Sequence, residues 1–137
     1  MTEFPLNIVT PDGKIFSGNA ESLRVRSIDG DICIRARHTD YVTALGMGAA
    51  EVIIAGEKHI AACMGGVISV LDGDVTLAAT TFEWAEYIDA VRSHASEERA
   101  RDLLGHDNLT DTELALAEAR LKRALIRQQV ASMKYKA

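Results

Sequence analysis

Apolar and polar residues follow one pattern up to about residue 85 and another beyond it. In the first part, short runs of β-type residues are separated by Asp-Gly, Gly-Gly and Pro-Asp-Gly sequences, which favour tight turns. The second part is rich in alanine and charged residues, lacks proline and has Gly105 as its single glycine. The change predicts a β body over residues 1–84 and a helical segment over residues 85–137.

The turn signals divide the first part into strands at the spacing of a β-sandwich or barrel. In the run at 22–28, apolar Leu23 and Val25 alternate with Arg24 and Arg26, so one face of this strand is expected to be wet. We predict eight to ten short strands. The runs that carry this prediction are 6–9, 14–17, 22–28, 31–35, 41–45, 51–55, 58–62, 67–71 and 74–80.

Glycines mark the limits of several of these runs. Gly46 and Gly48 follow the run at 41–45 and are predicted to break it, and Gly65-Gly66 precedes the run at 67–71. The strands are therefore predicted to be short pieces joined by many turns.

The second part predicts two helices packed as an antiparallel hairpin. Gly105 is placed to end the first helix, and Thr110 or Asp111 to cap the second, because Glu113 lies three residues beyond Thr110. The apolar positions assigned to the first helix are Ile88, Val91 and Ala95. The second carries a narrow seam at Leu114, Ala117, Leu121, Ala124, Gln128 and Ala131. Small residues on this seam bury little area, so the hairpin should undock easily.

Composition limits the class of protein. A chain of 137 residues with 47% apolar and 26% charged residues is large enough for a real core. A net charge of −5 and a pI near 5.3 are not those of a nucleic-acid binder. The N-terminus lacks the basic patch and apolar stretch of a signal peptide. Cys33 and Cys63 lie inside apolar β runs and are predicted to be buried, reduced thiols, which favours a cytoplasmic protein.

The sequence shows no catalytic constellation. The four histidines lack metal-ligand spacing, no C-x-x-C occurs, and no nucleophile or phosphate-loop motif is present, so neither a metal site nor a catalytic residue is predicted. His38 and Asp40 could form an acid–base pair, but nothing supplies a partner nucleophile. A polar surface loop is the simpler interpretation.

Two polar stripes on the predicted helices are more informative. Residues Asp89, Arg92, Ser96 and Arg99 share one face of the first helix, and Arg120, Arg123 and Arg127 share one face of the second. If the helices fold with these stripes facing, several guanidinium groups converge near a carboxylate, which suits a polyphosphate. The alternative is an ordinary solvated face with ion pairs along each helix.

Several segments, taken in order, carry a family resemblance. They are Leu6–Gly13, Phe16–Gly18 with Ala20-Glu21, Gly30–Ile34 running through His38 to Leu45, Gly65–Val70, Asp74–Leu77 and Lys122-Arg123-Ala124. On a β body followed by a helix pair, this set resembles the epsilon-subunit family of bacterial F-type ATP synthases over essentially the whole chain.

The resemblance implies a β-sandwich of about ten strands followed by a C-terminal two-helix antiparallel hairpin. It implies a non-catalytic rotor subunit in the central stalk, bound to the gamma subunit and the polar loops of the c-ring. Such a subunit couples proton or sodium flow to ATP synthesis, and its hairpin can extend into the alpha/beta catalytic head to inhibit ATP hydrolysis. It would sit peripherally on the cytoplasmic face of the bacterial cell membrane. Thr10, Asp31, His38 and Thr43 match positions that contact gamma or the c-ring.

Some bacterial members of this family bind ATP through a motif of the form I/L-D-x-x-R-A with supporting arginines. The motif matches Ile88, Asp89 and Arg92, with Ser93 in place of alanine. Glu83, Arg99, Arg123 and Arg127 match the supporting positions. No cofactor is required, but the resemblance implies ATP as a regulatory ligand that stabilises the folded hairpin.

The chain also departs from the family pattern. The family often has Gly where Cys33 stands, Pro-Gly where Ala36-Arg37 stands, and Pro where Asp40 stands. These changes concern the shape of one loop. Two other functions remain open on the residues alone: a stand-alone ATP sensor that uses the arginine stripes, and an enzyme that uses His38 and Asp40.

Overall fold

The computed structural model describes residues 2–133, which form eight strands, one 3-10 turn and two α-helices. The strands are β1 Phe4–Thr10, β2 Gly13–Ala20, β3 Ser22–Ser27, β4 Gly30–Ile34, β5 Tyr41–Ile54, β6 Glu57–Leu71, β7 Asp74–Ala79 and β8 Phe82–Trp84. A 3-10 turn at Ala85–Tyr87 leads into α1, Ala90–Leu104, and α2 follows at Asp111–Met133. The predicted β-sandwich with a C-terminal helical hairpin is confirmed.

The strands form one sheet in the order β2-β1-β7-β6-β5-β3-β4, with β8 also paired to β6. β1 and β7 run parallel, and the other pairs are antiparallel. The sheet wraps around a main core to which all eight strands contribute. Its bulkiest fully buried side chains are Leu6, Ile8, Leu23, Ile34, Ile68 and Leu77.

The predicted breaks at Gly46 and Gly48 are wrong, and the eight strands stand at the lower limit of the eight to ten that the sequence predicts. Gly46 and Gly48 lie inside β5, which pairs with β6 in one constant register from Tyr41↔Val70 to Ile54↔Glu57. Arg26 lies over both glycines, since a Cβ at either would come within 3.3 Å of its side chain. These glycines therefore make room for a neighbouring side chain and do not end the strand.

Gly65 and Gly66 do not end a strand either, but change which face of β6 looks inward. Their φ angles are +81° and +122°, a region that favours glycine. Before the two glycines, the odd-numbered residues Ala61 and Cys63 point into the main core. After them, the even-numbered residues Ile68 and Val70 do so. The same change turns Ile60, Ala62 and Met64 toward a second cluster, under the helices.

The second cluster, here called the docking cluster, joins the β body to the hairpin. It contains Ile60, Ala62, Met64, Ala85, Ile88, Ile126, Val130 and Ala131. The predicted seam of α2 faces α1 at buried Ala117 and Ala124, whereas Ile126 and Val130 form a further buried face that rests on the sheet. Sequence periodicity missed this face, because it occupies only the last two turns of the helix.

The helix limits follow local chemistry. Asp89 caps α1 by accepting from the Arg92 amide at 3.0 Å, which the sequence did not predict. Thr110 Oγ1 accepts from the Glu113 amide at 3.1 Å at the start of α2, as predicted. The first helix starts later than its pattern indicated. Val91, assigned to its apolar face, is 81% exposed, and Ile88 lies before the helix.

The prediction that both cysteines are buried is half wrong. Cys63 is buried, and burial raises the pKa of its thiol to about 12, so it stays protonated at neutral pH. Cys33 is exposed, because β4 alternates and turns Ile34 inward. Both thiols are free.

Candidate functional site

The two polar stripes of the helices meet in the folded structure and enclose two adjoining cavities. The first cavity, of about 380 Å³, is lined by Glu83, Tyr87, Asp89, Arg92, Ser93, Ser96, Arg99 and Arg127. The second cavity, of about 290 Å³, is lined by Ser96, Arg99, Ala100, Leu103, Arg120, Arg123 and Arg127. Ser96, Arg99 and Arg127 border both, so the cavities form a continuous groove between α1 and α2.

An ion pair ties this groove to the β body. Arg127 Nε donates to Glu83 Oε1 at 2.6 Å, which joins α2 to β8 across 44 positions of sequence. Within residues 2–133, no carboxylate lies within 4.0 Å of the side-chain nitrogens of Arg92, Arg99, Arg120 or Arg123. The groove therefore carries several positive charges that the described residues do not pair, a setting that attracts an anion.

Some residues that match the I/L-D-x-x-R-A motif line the first cavity, and one packs in the docking cluster. Asp89 lines the first cavity while one of its oxygens, Oδ1, caps α1. Ser93, which stands where the family has alanine, is 5% exposed and also lines that cavity. Ile88 is buried in the docking cluster and not in the cavity lining. Arg123 borders only the second cavity.

Tyr87 lines the first cavity and was not identified from the sequence. Its side chain is 80% exposed at the end of the 3-10 turn. An exposed aromatic ring beside arginine and carboxylate side chains offers a stacking surface for a planar group. Helical periodicity could not find it, because Tyr87 precedes α1.

Glu97 joins the two helices outside the lining of the groove. Its carboxylate accepts from Gln128 Nε2 of α2 at 2.9 Å and from Arg101 Nε at 2.7 Å. His94 Nδ1 lies 3.7 Å away. The hydrogen bond from Gln128, followed by that from Arg101, holds the pKa of Glu97 below its ordinary value of 4.5.

Acid should loosen the hairpin through Glu97. Because folding lowers this pKa, the contact stabilises the folded hairpin fully above the ordinary glutamate pKa and is lost as the pH falls through the lowered value. We expect the protection of the α2 amides against hydrogen exchange, measured relative to the intrinsic exchange rate at each pH, to fall over this acidic window. Gln128→Ala should make the exchange faster at neutral pH and reduce its acid dependence. An acid dependence equal to that of the unchanged chain would exclude this role for Glu97.

The residues predicted to contact rotor partners lie on the β body, at separate places. Thr10, at the end of β1, is engaged in a turn with Asp12 and Gly13, and Asp31 pairs with Arg26 at 3.2 Å. His38 borders a cavity with Phe4, at the other end of β1 from Thr10. Thr43 is half-buried, paired with core residue Ile68, so its neighbours Val42 and Ala44 are the outward residues.

Hydrogen bonds hold the loop at 36–40, which departs from the family pattern. Arg37 takes φ +65°, the conformation that the family's glycine would favour at this position. Asp40 Oδ1 accepts from the Asp72 amide at 2.9 Å, and His38 Nδ1 contacts the Thr39 carbonyl at 2.8 Å. Both side chains of the supposed acid–base pair are thus bonded to backbone, which favours a structural loop.

Exposed apolar residues form a row across the outside of the sheet that sequence reasoning did not single out. Ala44, Val67, Ala78 and Val9 are paired in line across β5, β6, β7 and β1. Val42 and Ile28 extend this outer row, and each is 67% exposed. The row lies between the Thr10 end and the His38 end of the sheet. An exposed apolar patch on a sheet commonly marks an interface.

No group of three or more metal-binding side chains is placed to hold an ion within residues 2–133. Over the same range, no helix is long and apolar enough to cross a membrane.

Comparison with known proteins assigns the family. Residues 3–85 match the sequence model of the ATP synthase Delta/Epsilon chain β-sandwich domain. The chain is 35% identical over 131 residues to the ATP synthase epsilon chain of Bacillus pumilus, covering 96% of this chain and 98% of the relative. It is 37% identical to the epsilon chain of Bacillus velezensis, with the same coverage of both chains.

Solved structures share the fold. A chain in the Euglena gracilis mitochondrial ATP synthase structure (OSCP/F1/c-ring) superposes with a TM-score of 0.80 at 21% identity, over 97% of this chain and 82% of that one. A chain in the Tetrahymena thermophila mitochondrial central stalk/c-ring structure gives 0.65 at 11% identity, over 95% and 97%. From the sequence matches, this chain belongs to the ATP synthase epsilon chain family.

Proposed function

We propose that this chain is a non-catalytic rotor subunit of the central stalk. It binds the gamma subunit and the polar loops of the c-ring, and so couples proton or sodium flow to ATP synthesis. Its hairpin inhibits ATP hydrolysis by extending into the alpha/beta head, and ATP favours the folded hairpin. Through the complex it lies peripherally on the cytoplasmic face of a bacterial membrane. It has no role with nucleic acid.

The chief support for a hairpin that responds to ATP is that the arginine groove depends on the folded state. Its arginines come from α1 and α2 and converge only while the two helices are paired, and Glu83 of β8 joins them only while α2 lies on the β body. A ligand that bridges these elements stabilises the state it binds better. ATP should therefore slow proteolysis of the hairpin and make the particle more compact in small-angle scattering. No change in either measurement would contradict the gating.

The lining of the groove supports one arrangement of a bound ATP. Asp89 Oδ2 and Glu83 supply hydrogen-bond acceptors in the first cavity, and Tyr87 supplies a flat surface, which together suit a base with an exocyclic amine. Arg92, Arg99 and Arg127 lie alongside to receive the phosphates. The ion pair of Arg127 with Glu83 would rearrange when phosphate binds.

The limited burial of the hairpin supports a mobile element. Alanine dominates the contact between the helices, at Ala100, Ala117 and Ala124, and the docking cluster is far smaller than the main core. Small side chains bury little apolar area, so undocking costs less free energy than unfolding the sheet.

The outer row supports gamma as the partner of the sheet. We expect Val67→Asp to weaken co-purification with gamma by about 30-fold, because it places a carboxylate in the middle of an apolar interface. Ala55→Asp is the matched control, since Ala55 is exposed in the β5–β6 turn, away from the row. Equal retention of gamma by both variants would remove the outer row from the interface.

A stand-alone ATP sensor is the second candidate, favoured only by the arginine groove. Copurification with other ATP synthase subunits distinguishes the two proposals, because only a rotor subunit needs a large partner. The enzyme based on His38 and Asp40 loses support, since both side chains are bonded to backbone atoms.

A further inference from the structure

We propose that the methionines of the docking cluster form a reversible oxidation site, where conversion to methionine sulfoxide releases the hairpin. Within residues 2–133 the chain has three methionines, and all three lie in this cluster. Met64 belongs to its buried set, and Met47 and Met133 pack against it. The main core is larger but contains no methionine over the same residues. The thioethers are therefore confined to the contact between the hairpin and the β body.

The three methionines come from the two surfaces that meet when the hairpin docks. Met47 of β5 and Met64 of β6 are directly paired, so their side chains stand next to each other on the face of the sheet under α2. Met133 ends α2 and packs against the same cluster from the helix side. A polar oxygen on any of these sulfur atoms would therefore fall between the helix and the sheet.

Burial decides which methionine an oxidant reaches first. Met47 and Met133 are half-buried, whereas Met64 is only 4% exposed. Peroxide should therefore oxidise the first two while the hairpin is docked. Met64 should react once α2 has left the sheet, because it is packed with Ile126 and Val130 of that helix. Its oxidation would then oppose redocking.

The chemistry is the oxidation of a thioether by a peroxide. The sulfur gives an electron pair to one oxygen of hydrogen peroxide, so an S–O bond forms and the O–O bond breaks. The displaced hydroxide takes up the remaining hydroxyl proton and leaves as water. The side chains of the docking cluster are all apolar and offer the sulfoxide oxygen no donor, so the docked state is destabilised.

This oxidation has a regulatory consequence that rests on the proposed function, since it acts on a hairpin that docks and undocks. Oxidation favours the released hairpin, which is the inhibitory form in that proposal, so peroxide should lower ATP hydrolysis by the complex. Methionine sulfoxide reductases restore the thioether, release water and oxidise a dithiol to a disulfide. The inhibition should therefore be reversible.

Limited proteolysis of the full-length chain before and after hydrogen peroxide treatment tests the site, with mass spectrometry to locate the sulfoxides. We expect cleavage within the helices to become at least about tenfold faster, because cleavage follows the population of the open form. The triple variant Met47→Leu, Met64→Leu, Met133→Leu should dock normally, since leucine is a well-tolerated replacement for methionine, and should not respond to peroxide. It retains Met1 and both cysteines, and so controls for oxidation elsewhere.

Enzymatic reduction gives a second test that does not depend on the variant. Methionine sulfoxide reductases with dithiothreitol should return the oxidised, unchanged chain to its original cleavage rate. Dithiothreitol alone reverses disulfide formation at cysteine, and should not restore that rate.

An unaltered cleavage rate with sulfoxide at all three methionines would overturn the inference. Equal sensitivity of the triple variant to peroxide, or recovery with dithiothreitol alone, would also overturn it. So would methionines in the docking cluster that stay reduced while Met1 is oxidised. Protection of the hairpin by ATP without any peroxide effect would leave the proposed function standing and this inference not. A peroxide effect without an ATP effect would support the oxidation site and contradict the ATP gating.

Discussion

Gly66→Ala is expected to lower the melting temperature by more than about 10 °C, because the added methyl group has no room beside β7. A Cβ at this position would lie 2.1 Å from the Ala78 carbonyl oxygen and 2.7 Å from the Ala79 Cα. Both atoms are backbone of the paired strand β7, so no side chain can move to relieve the clash. The φ of +122° adds a conformational penalty of its own.

Gly13→Ala is the control that separates these two costs. Gly13 has a similar φ of +131°, but nothing lies within 4 Å of its added Cβ. It should cost only about 1–3 kcal/mol, the penalty of the backbone conformation. Thermal unfolding of both variants measures the difference. If Gly66→Ala melts no lower than Gly13→Ala, the close approach of β6 to β7 is not as described.

Val130→Asp should release the hairpin while the β body stays folded. Val130 is fully buried in the docking cluster, and burying a carboxylate there without a partner costs several kcal/mol, on the order of 3 or more. The main core contains no residue of α1 or α2, so it keeps its packing. We expect rapid proteolysis within the helices, an intact fragment of the body, and an increase in the radius of gyration.

Gln129→Asp introduces the same residue one position earlier, on the exposed side of α2. It should leave both the proteolysis and the scattering nearly unchanged. Loss of the whole fold in Val130→Asp would show that body and hairpin are one cooperative unit. A protected hairpin in that variant would show that the docking cluster does not hold it.

Alternation and turns predicted most of the β body, because they are local signals. Asp29-Gly30, Gly56 and Asp72-Gly73 do mark hairpin turns. The glycines inside β5 and β6 misled the prediction, since the sequence does not tell whether a glycine ends a strand, admits a neighbour or turns a face. Those three outcomes depend on the strand alongside, as the Arg26 and Ala78 contacts show.

The candidate site was partly predictable for the same reason. Arg92 and Arg99 share one helical face and Arg123 and Arg127 another, so spacing alone brought them into view. Glu83 could not be found by spacing, because its contact with Arg127 spans most of the hairpin. It came only from the resemblance. The outer row depends on sheet register, which no local pattern reveals, and the body-facing side of α2 occupies too few turns to show a period.

The glycines of β6 are connected to the arginine groove through the docking cluster. The positive φ angles at Gly65 and Gly66 turn Ile60, Ala62 and Met64 outward from the main core. That turn creates the surface on which α2 docks. Docking brings Arg127 to Glu83 and closes the arginine groove. The groove is therefore complete only while the hairpin is folded, so a ligand that binds it would stabilise the folded hairpin.

Calorimetric titration of the full-length chain with ATP tests whether the arginine groove binds the nucleotide. Asp89→Asn and Arg92→Ala are the informative variants, because asparagine keeps the helix cap and the Arg92 amide that it binds is unaffected. Lys122→Ala is the control, because it removes a positive charge from an exposed residue outside both cavities. We expect the unchanged chain and Lys122→Ala to bind ATP, and Asp89→Asn and Arg92→Ala each to bind it at least about tenfold more weakly. Absence of binding at millimolar ATP, or equal binding by all four proteins, would contradict an ATP-stabilised hairpin.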